Sequence, residues 1–224
     1  MKAIFLGYRE WAIDVYRSIK NNPNISNDMP LCTTIEDLED YSLEDHDLLI
    51  TCGWSDELGK EIAGKIFSIG VHCAELDRYS YGTPLQLQII DDIRFSKHRI
   101  FRFVAPDSSE RAHTHTREYS HEVTLCLVGS MQDILAQMTS TSISLFSMFL
   151  EDYPSIEWKY WDAEDVRRVP RKPSDSVITM HEFSKKSTSE LYDLIRCLEH
   201  PYPNLCVEDD EGYLYFEKVR YKRK

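Results

Sequence analysis

The chain has 224 residues, and its 42% hydrophobic and 29% charged content is ordinary for a protein that folds around its own core. The formal net charge of −12 argues against a nucleic-acid partner, because affinity for a phosphate backbone comes from Lys and Arg. No apolar run is long enough to span a membrane, no signal peptide opens the sequence, and the six cysteines include no CxxC pair. We therefore expect a cytoplasmic protein with reduced thiols and a small-molecule or protein partner.

Strand and helix patterns alternate over the first 72 residues. Apolar runs typical of strands cover residues 2–7, 31–32, 47–52 and 68–72. Helical patterns lie between them, over residues 9–20, 35–38 and 57–67. This alternation predicts a parallel sheet whose strands are joined by crossover helices.

The pattern changes after residue 72. We predict a polar loop over 73–83, a helix from Pro84 to about Asp92, strands at 99–104 and 119–128, and a long helix over 130–151. A strand at 156–161, a helix at 187–199 and a hairpin with strands at 206–207 and 213–219 follow. The expected fold is α/β, with a Rossmann-like, mostly parallel sheet over residues 1–152 and a small α+β appendage over 153–224. The hairpin edge is a candidate surface for a homodimer.

Loops that follow the predicted parallel strands are the first place to look for a site. In an open α/β sheet, ligands bind at the carboxyl ends of the strands. This rule predicts that residues 7–9, 53–55 and 72–82 meet along one edge of the sheet, although they are distant in sequence.

The same loops carry a family likeness. Residues 7–12 read GYREWA, residues 52–55 read CGWS, and residues 72–86 read HCAELDRYSYGTPLQ. The last stretch is similar to a family pattern of a His, a Leu-Pro pair, an Arg-Gly pair and a Ser-Pro that starts a helix. Residues 171–176 and 192–196 resemble the same family's C-terminal segment. The chain therefore resembles the folate-dependent formyltransferase superfamily, and most of all its small sugar N-formyltransferases.

This resemblance implies a formyltransferase fold and a reaction. A formyl group would move from N10-formyltetrahydrofolate to a primary amine of a small molecule such as an amino sugar nucleotide. Members of the family use an Asn, a His and an Asp, and His72 stands at the position of the catalytic His. The resemblance implies that the folate donor contacts Trp54, Ser55, Glu75, Leu76, Tyr81 and Gly82. The residues expected to bind the acceptor are Tyr8, Arg9, Trp11, Arg102 and Arg111.

Two of the three catalytic positions depart from the family pattern. Gly70 stands where the Asn is expected, and the Asp position falls near His115. One hypothesis is that Glu118 supplies the carboxylate, while Tyr81 or a backbone N–H replaces the Asn.

The His-rich stretch offers an alternative. If residues 113–117 are extended, His113, His115 and Arg117 share one face, and a His-x-His pair on one face can bind zinc. A divergent, metal-assisted enzyme would follow. Solvated loop histidines are the simplest interpretation, so no metal site is predicted. His113 and His115 are also candidates for a direct catalytic or substrate-binding role without a metal. A non-catalytic descendant that binds a nucleotide or a partner protein is the third alternative.

Overall fold

The computed structural model describes the chain except for residues 27, 55–57, 59, 80–81, 104–114, 161–168 and 223–224, and except for the side chains of 60–61, 76–77 and 115–117. Contacts group the chain into two compact units. The first comprises Met1–His72, Lys97–Thr124 and Met138–Asp162, and the second Cys73–Ser96, Leu125–Gln137 and Ala163–Lys224. Each unit is assembled from three separate segments of the chain. The division into a core over 1–152 and an appendage over 153–224 stays a prediction.

The described regular structure comprises ten strands, seven α-helices and three 3₁₀-helices, the last at Glu36–Asp40, Leu43–Asp45 and Pro173–Ser176. The strands are β1 Ala3–Leu6, β2 Leu31–Cys32, β3 Leu48–Thr51, β4 Ser68–His72, β5 Phe95–Phe103, β6 His115–Cys126, β7 Lys159–Tyr160, β8 Val177–Thr179, β9 Leu205–Asp209 and β10 Gly212–Phe216. The helices are α1 Glu10–Ile19, α2 Lys60–Ala63, α3 Leu76–Tyr79, α4 Pro84–Ile90, α5 Met131–Asp152, α6 Met180–Ser184 and α7 Thr188–Arg196. None of the described helices combines the length and the apolar character needed to cross a bilayer.

The larger sheet has seven strands in the order β2-β1-β3-β4-β5-β6-β7. The first four strands in this order are parallel, while β5 is antiparallel to β4 and β7 is antiparallel to β6. β1 and β3 are buried at every residue, as expected for strands covered on both faces. The predicted α/β class with a mostly parallel sheet is confirmed.

Two apolar clusters cover the faces of this sheet within the first unit. Helix α1 buries Ala12, Val15 and Ile19, which recur at helical spacing. They pack with Phe5 and other buried residues of the main cluster, which includes Leu145, Phe146 and Phe149 of α5. The second cluster contains Ile4, Leu6, Leu49, Phe101 and Phe103. Alternate residues of β1 thus enter different clusters, because side chains alternate across a strand.

The second unit contains a three-stranded sheet in the order β10-β9-β8. Helix α7 begins with a capping box, in which the Ser187 hydroxyl accepts from the Glu190 backbone N–H and the Glu190 carboxylate accepts from that of Ser187. The sequence predicts this helix over 187–199. The antiparallel pairing of β9 and β10 agrees with the predicted hairpin.

Several predicted elements differ in detail. The loop predicted over 73–83 contains α3, which is too short to show helical periodicity in the sequence. Strand β5 starts at Phe95 instead of 99. Its first residues do not read as a strand in the sequence, because the buried positions there are occupied by the polar residues Ser96 and His98. Strand β8 and helix α6 were not predicted, since neither has a clear apolar pattern. Within the helix predicted over 57–67, the structure has a helix at Lys60–Ala63, and residues 64–66 are turns and a bend.

Candidate active site

The carboxyl ends of β1, β3 and β4 lie along one edge of the parallel sheet, and we call this edge the rim. The backbone is tightly packed there: a Cβ atom placed on Gly7 would lie 2.3 Å from the carbonyl oxygen of Cys52. Gly53 has a φ of +62°, and its carbonyl accepts a hydrogen bond of 3.2 Å from Arg9 Nε. The two loops therefore meet as predicted, and glycine is needed at both positions.

Aromatic side chains from these loops form the rim surface. Tyr8, which is 41% exposed, lies edge-on to Trp54 with ring centroids 5.7 Å apart. The Arg9 guanidinium lies 5.3 Å from the Tyr8 ring centroid. Trp54 Nε1 is buried and has no hydrogen-bond partner among the described residues. Trp11, also predicted to bind substrate, packs against the main core cluster.

His72 ends β4 at the rim and is partly buried. Its ring stands edge-on to Phe101, with centroids 6.4 Å apart. In the antiparallel pairing of β4 with β5, His72 lies directly opposite Arg99, and Gly70 lies opposite Phe101. Residues that are directly opposite in such a pair share one face of the sheet. The structure thus places the predicted catalytic His beside Arg99 and Phe101 of β5.

Gly70, at the position of the expected Asn, has no space for a side chain. A Cβ atom there would lie 2.7 Å from Phe101 Cζ and 2.6 Å from Thr51 Oγ1. The Phe101 ring fills the volume that an amide side chain would need. Any donor to a reacting oxygen must therefore come from another residue.

A cluster of charges accompanies Arg99. Its Nε donates to Glu122 Oε2, and Lys97 Nζ lies 2.6 Å from Glu122 Oε1. Burial raises the pKa of Glu122, but the hydrogen bonds from Lys97 and Arg99 outweigh it, so that this pKa lies below its ordinary value. The guanidinium of Arg99 also lies 4.6 Å from the Tyr119 ring centroid. Sequence reasoning missed Glu122 because its contact depends on the alignment of β5 with β6.

Glu118, the carboxylate predicted to assist His72, lies elsewhere. Its Oε2 is 3.6 Å from Arg102 Nη1, and it pairs across the sheet with Tyr160, whose pKa it raises by hydrogen bonding and by its negative charge. Arg102 lies opposite Ile69, three residues along β5 from Arg99, or ~10 Å at strand spacing. The structure therefore joins Glu118 to Arg102, which lies on the opposite face of β5 from Arg99.

A second histidine, which lies on β5, is buried in the first unit. His98 is fully buried, and its Nδ1 lies 2.7 Å from Thr141 Oγ1, whose hydroxyl donates to the Met138 carbonyl. Because that hydroxyl proton is used, His98 Nδ1 must donate and Nε2 must be unprotonated. Burial, with a smaller contribution from His72, lowers the pKa of His98 to about 3. His98 is thus neutral at physiological pH.

The second unit holds the loop that follows His72. Gln88 is fully buried, and its Nε2 donates to the carbonyl oxygens of Cys73 and Pro84 at 2.9 and 3.1 Å. Ser96 Oγ donates to the Gln88 side-chain oxygen. The buried Gln88 amide thus donates two hydrogen bonds and accepts one, and the bond to the Cys73 carbonyl holds the backbone directly after His72. A buried Gln in an apolar helix is the sequence signal that would have revealed this support.

The other predicted site residues are less fully defined. Glu75 starts α3, where its carbonyl oxygen accepts from the backbone N–H groups of Arg78 and Tyr79. Gly82 has a φ of +88°, which favours glycine. Ser55, Tyr81, Arg111 and His113 lie outside the described residues, as do the side chains of Leu76 and His115. Within the described part of the chain, no three His, Cys, Asp or Glu side chains are placed to hold a metal ion.

No protein-family model matches this sequence, and no curated protein matches it either. Solved structures do match. The methionyl-tRNA formyltransferase from Clostridium thermocellum has a TM-score of 0.81 at 20% identity, over 99% of this chain and 94% of that chain. A 4-N formyltransferase from Francisella tularensis has a TM-score of 0.66 at 14% identity, over 98% of this chain and 99% of that chain.

A third matching structure is a complex with a folate. HypX from Aquifex aeolicus in complex with tetrahydrofolic acid matches with a TM-score of 0.68 at 11% identity, over 93% of this chain and 36% of that chain. At such identities, these three likenesses show the fold alone.

Proposed function

We propose that this chain, which has the formyltransferase fold, moves a formyl group from N10-formyltetrahydrofolate to a primary amine. The observation that carries the proposal is the position of His72, at the carboxyl end of β4 in the parallel sheet. This is the edge at which open α/β sheets bind ligands. The names of the structural neighbours support the reaction class, and the complex with tetrahydrofolic acid supports a folate donor.

In the proposed reaction the amine nitrogen attacks the formyl carbon. A new C–N bond forms, the bond from that carbon to N10 breaks, and one proton passes from the amine to N10. We assign the proton transfer to His72, because an imidazole side chain can both accept and donate a proton. The formyl oxygen gains negative charge as the new bond forms, so it needs a hydrogen-bond donor.

The aromatic rim fits a flat donor molecule. The exposed Tyr8 ring and the Trp54 ring offer π contacts, which are worth about 0.5–1.5 kcal/mol beyond the buried area. The buried Trp54 Nε1 also needs an acceptor, and the polar atoms of a folate can supply one. We therefore assign the donor to the Trp54 side of the rim.

Arg9 supports the acceptor proposal. A guanidinium binds phosphate through charge-assisted hydrogen bonds, and Arg9 reaches the rim beside the exposed Tyr8 ring. An amine carried by a nucleotide sugar would bring such phosphates. The net charge of −12 favours this small-molecule acceptor over an RNA.

Titration calorimetry with 5-formyltetrahydrofolate, a stable analogue of the donor, tests the folate site. We expect micromolar binding that weakens about tenfold in Trp54→Ala, since about 1.4 kcal/mol corresponds to one aromatic contact. Tyr41→Ala is the matched control, because Tyr41 is also edge-on to a neighbouring ring, that of His46, but precedes β3 instead of following it. Absence of binding at millimolar analogue would overturn the folate proposal.

Turnover is tested by mass spectrometry of amine acceptors incubated with N10-formyltetrahydrofolate. A product 28 Da heavier than an amino sugar nucleotide, and its loss in His72→Asn, are the expected results, since replacing hydrogen by a formyl group adds CO. Metal analysis of the same sample separates the alternatives. Stoichiometric metal together with no folate binding would favour the metal-assisted enzyme. If the sample contains no metal and binds no folate, a non-catalytic binding protein is favoured.

We also propose that the chain forms a homodimer through β10. This strand is the edge of the three-stranded sheet, and Tyr213, Leu214 and Tyr215 along it are each more than half exposed. An exposed apolar edge strand is a ready template for pairing with a second chain.

A further inference from the structure

Arg99 is a mostly buried cation of the first unit, and it lies beside His72 in the sheet. Its position opposite His72 puts both side chains on one face at the end of β4. The Arg99 side chain is 13% exposed, compared with 41% for Lys97 and 37% for Arg102. The charge of Arg99 is therefore screened less by solvent than that of either neighbour.

One donor of Arg99 is unused. Nε donates to Glu122, whereas Nη1 is buried and has no hydrogen-bond partner among the described residues. A buried N–H without an acceptor destabilises the protein, so Nη1 favours a ligand that brings an oxygen. Since Lys97 and Arg99 carry two positive charges and Glu122 carries one negative charge, the cluster retains a net charge of +1.

We propose that Arg99 binds the acyl oxygen of the one-carbon group at the rim and replaces the missing amide donor of residue 70. This inference rests on the proposed formyl transfer. The guanidinium offers a permanent positive charge to an oxygen that becomes negative when the amine attacks. Glu122 acts as a positioning residue, because it holds the guanidinium through Nε and leaves Nη1 available.

The position of Phe101 accounts for a donor on β5 in place of one at residue 70 of β4. Phe101 and Arg99 lie on the same face, opposite Gly70 and His72 respectively. Because the Phe101 ring fills the space beside Gly70, a donor at residue 70 is excluded, and Arg99 is the next residue of β5 on that face toward the rim.

Steady-state kinetics of Arg99→Gln test the assignment. We expect kcat to fall on the order of 10²- to 10³-fold, as for loss of an oxyanion donor, while the Kd for 5-formyltetrahydrofolate changes less than threefold. Arg17→Gln is the matched control, because Arg17 also pairs with a carboxylate, that of Asp14, but is 69% exposed. A kcat of Arg99→Gln within threefold of the wild-type value would overturn the proposal.

Arg99→Gln leaves the partly buried Glu122 carboxylate with one partner fewer, which can destabilise the fold. A double variant, Arg99→Gln with Glu122→Gln, removes this unpaired charge and so separates loss of activity from misfolding. A cooperative thermal transition in this variant, together with the loss of kcat, supports the assignment. Full activity of the double variant would contradict it.

Formate provides a readout that does not depend on turnover. Its carboxylate presents the same one-carbon oxygen group, so we expect millimolar formate to raise the thermal midpoint of the wild-type chain and of Arg17→Gln, but not of Arg99→Gln. Equal shifts in all three proteins would show that Arg99 is not the binding group. If formate binds through Arg99 but no amine is formylated, the Arg99 site stands and the proposed formyl transfer fails.

Discussion

The ring of Phe101 lies against Gly70 so closely that a Cβ atom on residue 70 would be 2.7 Å from Phe101 Cζ. Real Cβ contacts are longer, so any side chain at residue 70 must displace this ring. Phe101 is itself buried in the second apolar cluster, where its centroid is 4.6 Å from that of Phe103. The missing Asn and the buried Phe are thus two parts of one packing arrangement.

We expect Gly70→Ala to lower the free energy of unfolding by about 1–3 kcal/mol, as for an overpacked core. Replacing Phe101 by Leu should also destabilise the chain, because a cavity is left in the cluster. The double variant should lose less free energy of unfolding than the two single variants lose together, since the smaller side chain at residue 101 makes room for the new methyl group. Urea denaturation of all four proteins measures the coupling, and simple additivity would show that the ring does not exclude side chains at residue 70.

The sequence could predict His72 at the rim because strand ends and glycine loops are local signals. It could not predict the contact of Arg99 with Glu122, because that contact depends on long-range pairing of β5 with β6. Glu118 was selected as a carboxylate near His115, where the family's Asp is expected, and nearness in sequence does not reveal that Glu118 lies beside Arg102. Likewise the sequence shows that Asn is absent at residue 70, but only packing against Phe101 explains the absence.

The buried His98 makes stability depend on pH. Its pKa is about 3 in the folded chain and about 6.5 when exposed, so between these values the unfolded chain takes up a proton that the folded chain excludes. Stability should therefore fall as the pH decreases below 6.5, by about 1.4 kcal/mol per pH unit from this residue. Urea denaturation between pH 7 and pH 5 measures the slope.

His98→Asn should reduce this slope, because Asn does not titrate and its amide can still donate to Thr141. His181→Asn is the control, since His181 is exposed on α6 and its removal should leave the slope unchanged. A His98→Asn variant with the wild-type slope would show that another group is responsible.

Arg196 connects two parts of the second unit. It is fully buried, its Nη1 donates to the carbonyl oxygens of Leu127 and Gly129, and its Nε donates to Asp193. We expect Arg196→Met to lower the free energy of unfolding by about 3–5 kcal/mol, because Asp193 and the two carbonyl groups lose a buried partner. Arg17→Met, which breaks an exposed pair with Asp14, should cost less than about 1 kcal/mol. Comparable losses in urea denaturation would contradict a structural role for the buried guanidinium.

The exposed edge of β10 predicts the behaviour of the chain in solution. Tyr213, Leu214 and Tyr215 are 65%, 55% and 64% exposed, and β10 pairs only with β9 among the described strands. We expect light scattering at micromolar concentration to give about twice the 26.3 kDa of one chain. Leu214→Lys should give the mass of a monomer, because a charge on an edge strand opposes pairing. Phe95→Lys tests an equally exposed aromatic on β5 and should remain dimeric. A monomeric wild-type chain, or a Leu214→Lys variant that stays dimeric, would place the interface elsewhere or exclude it.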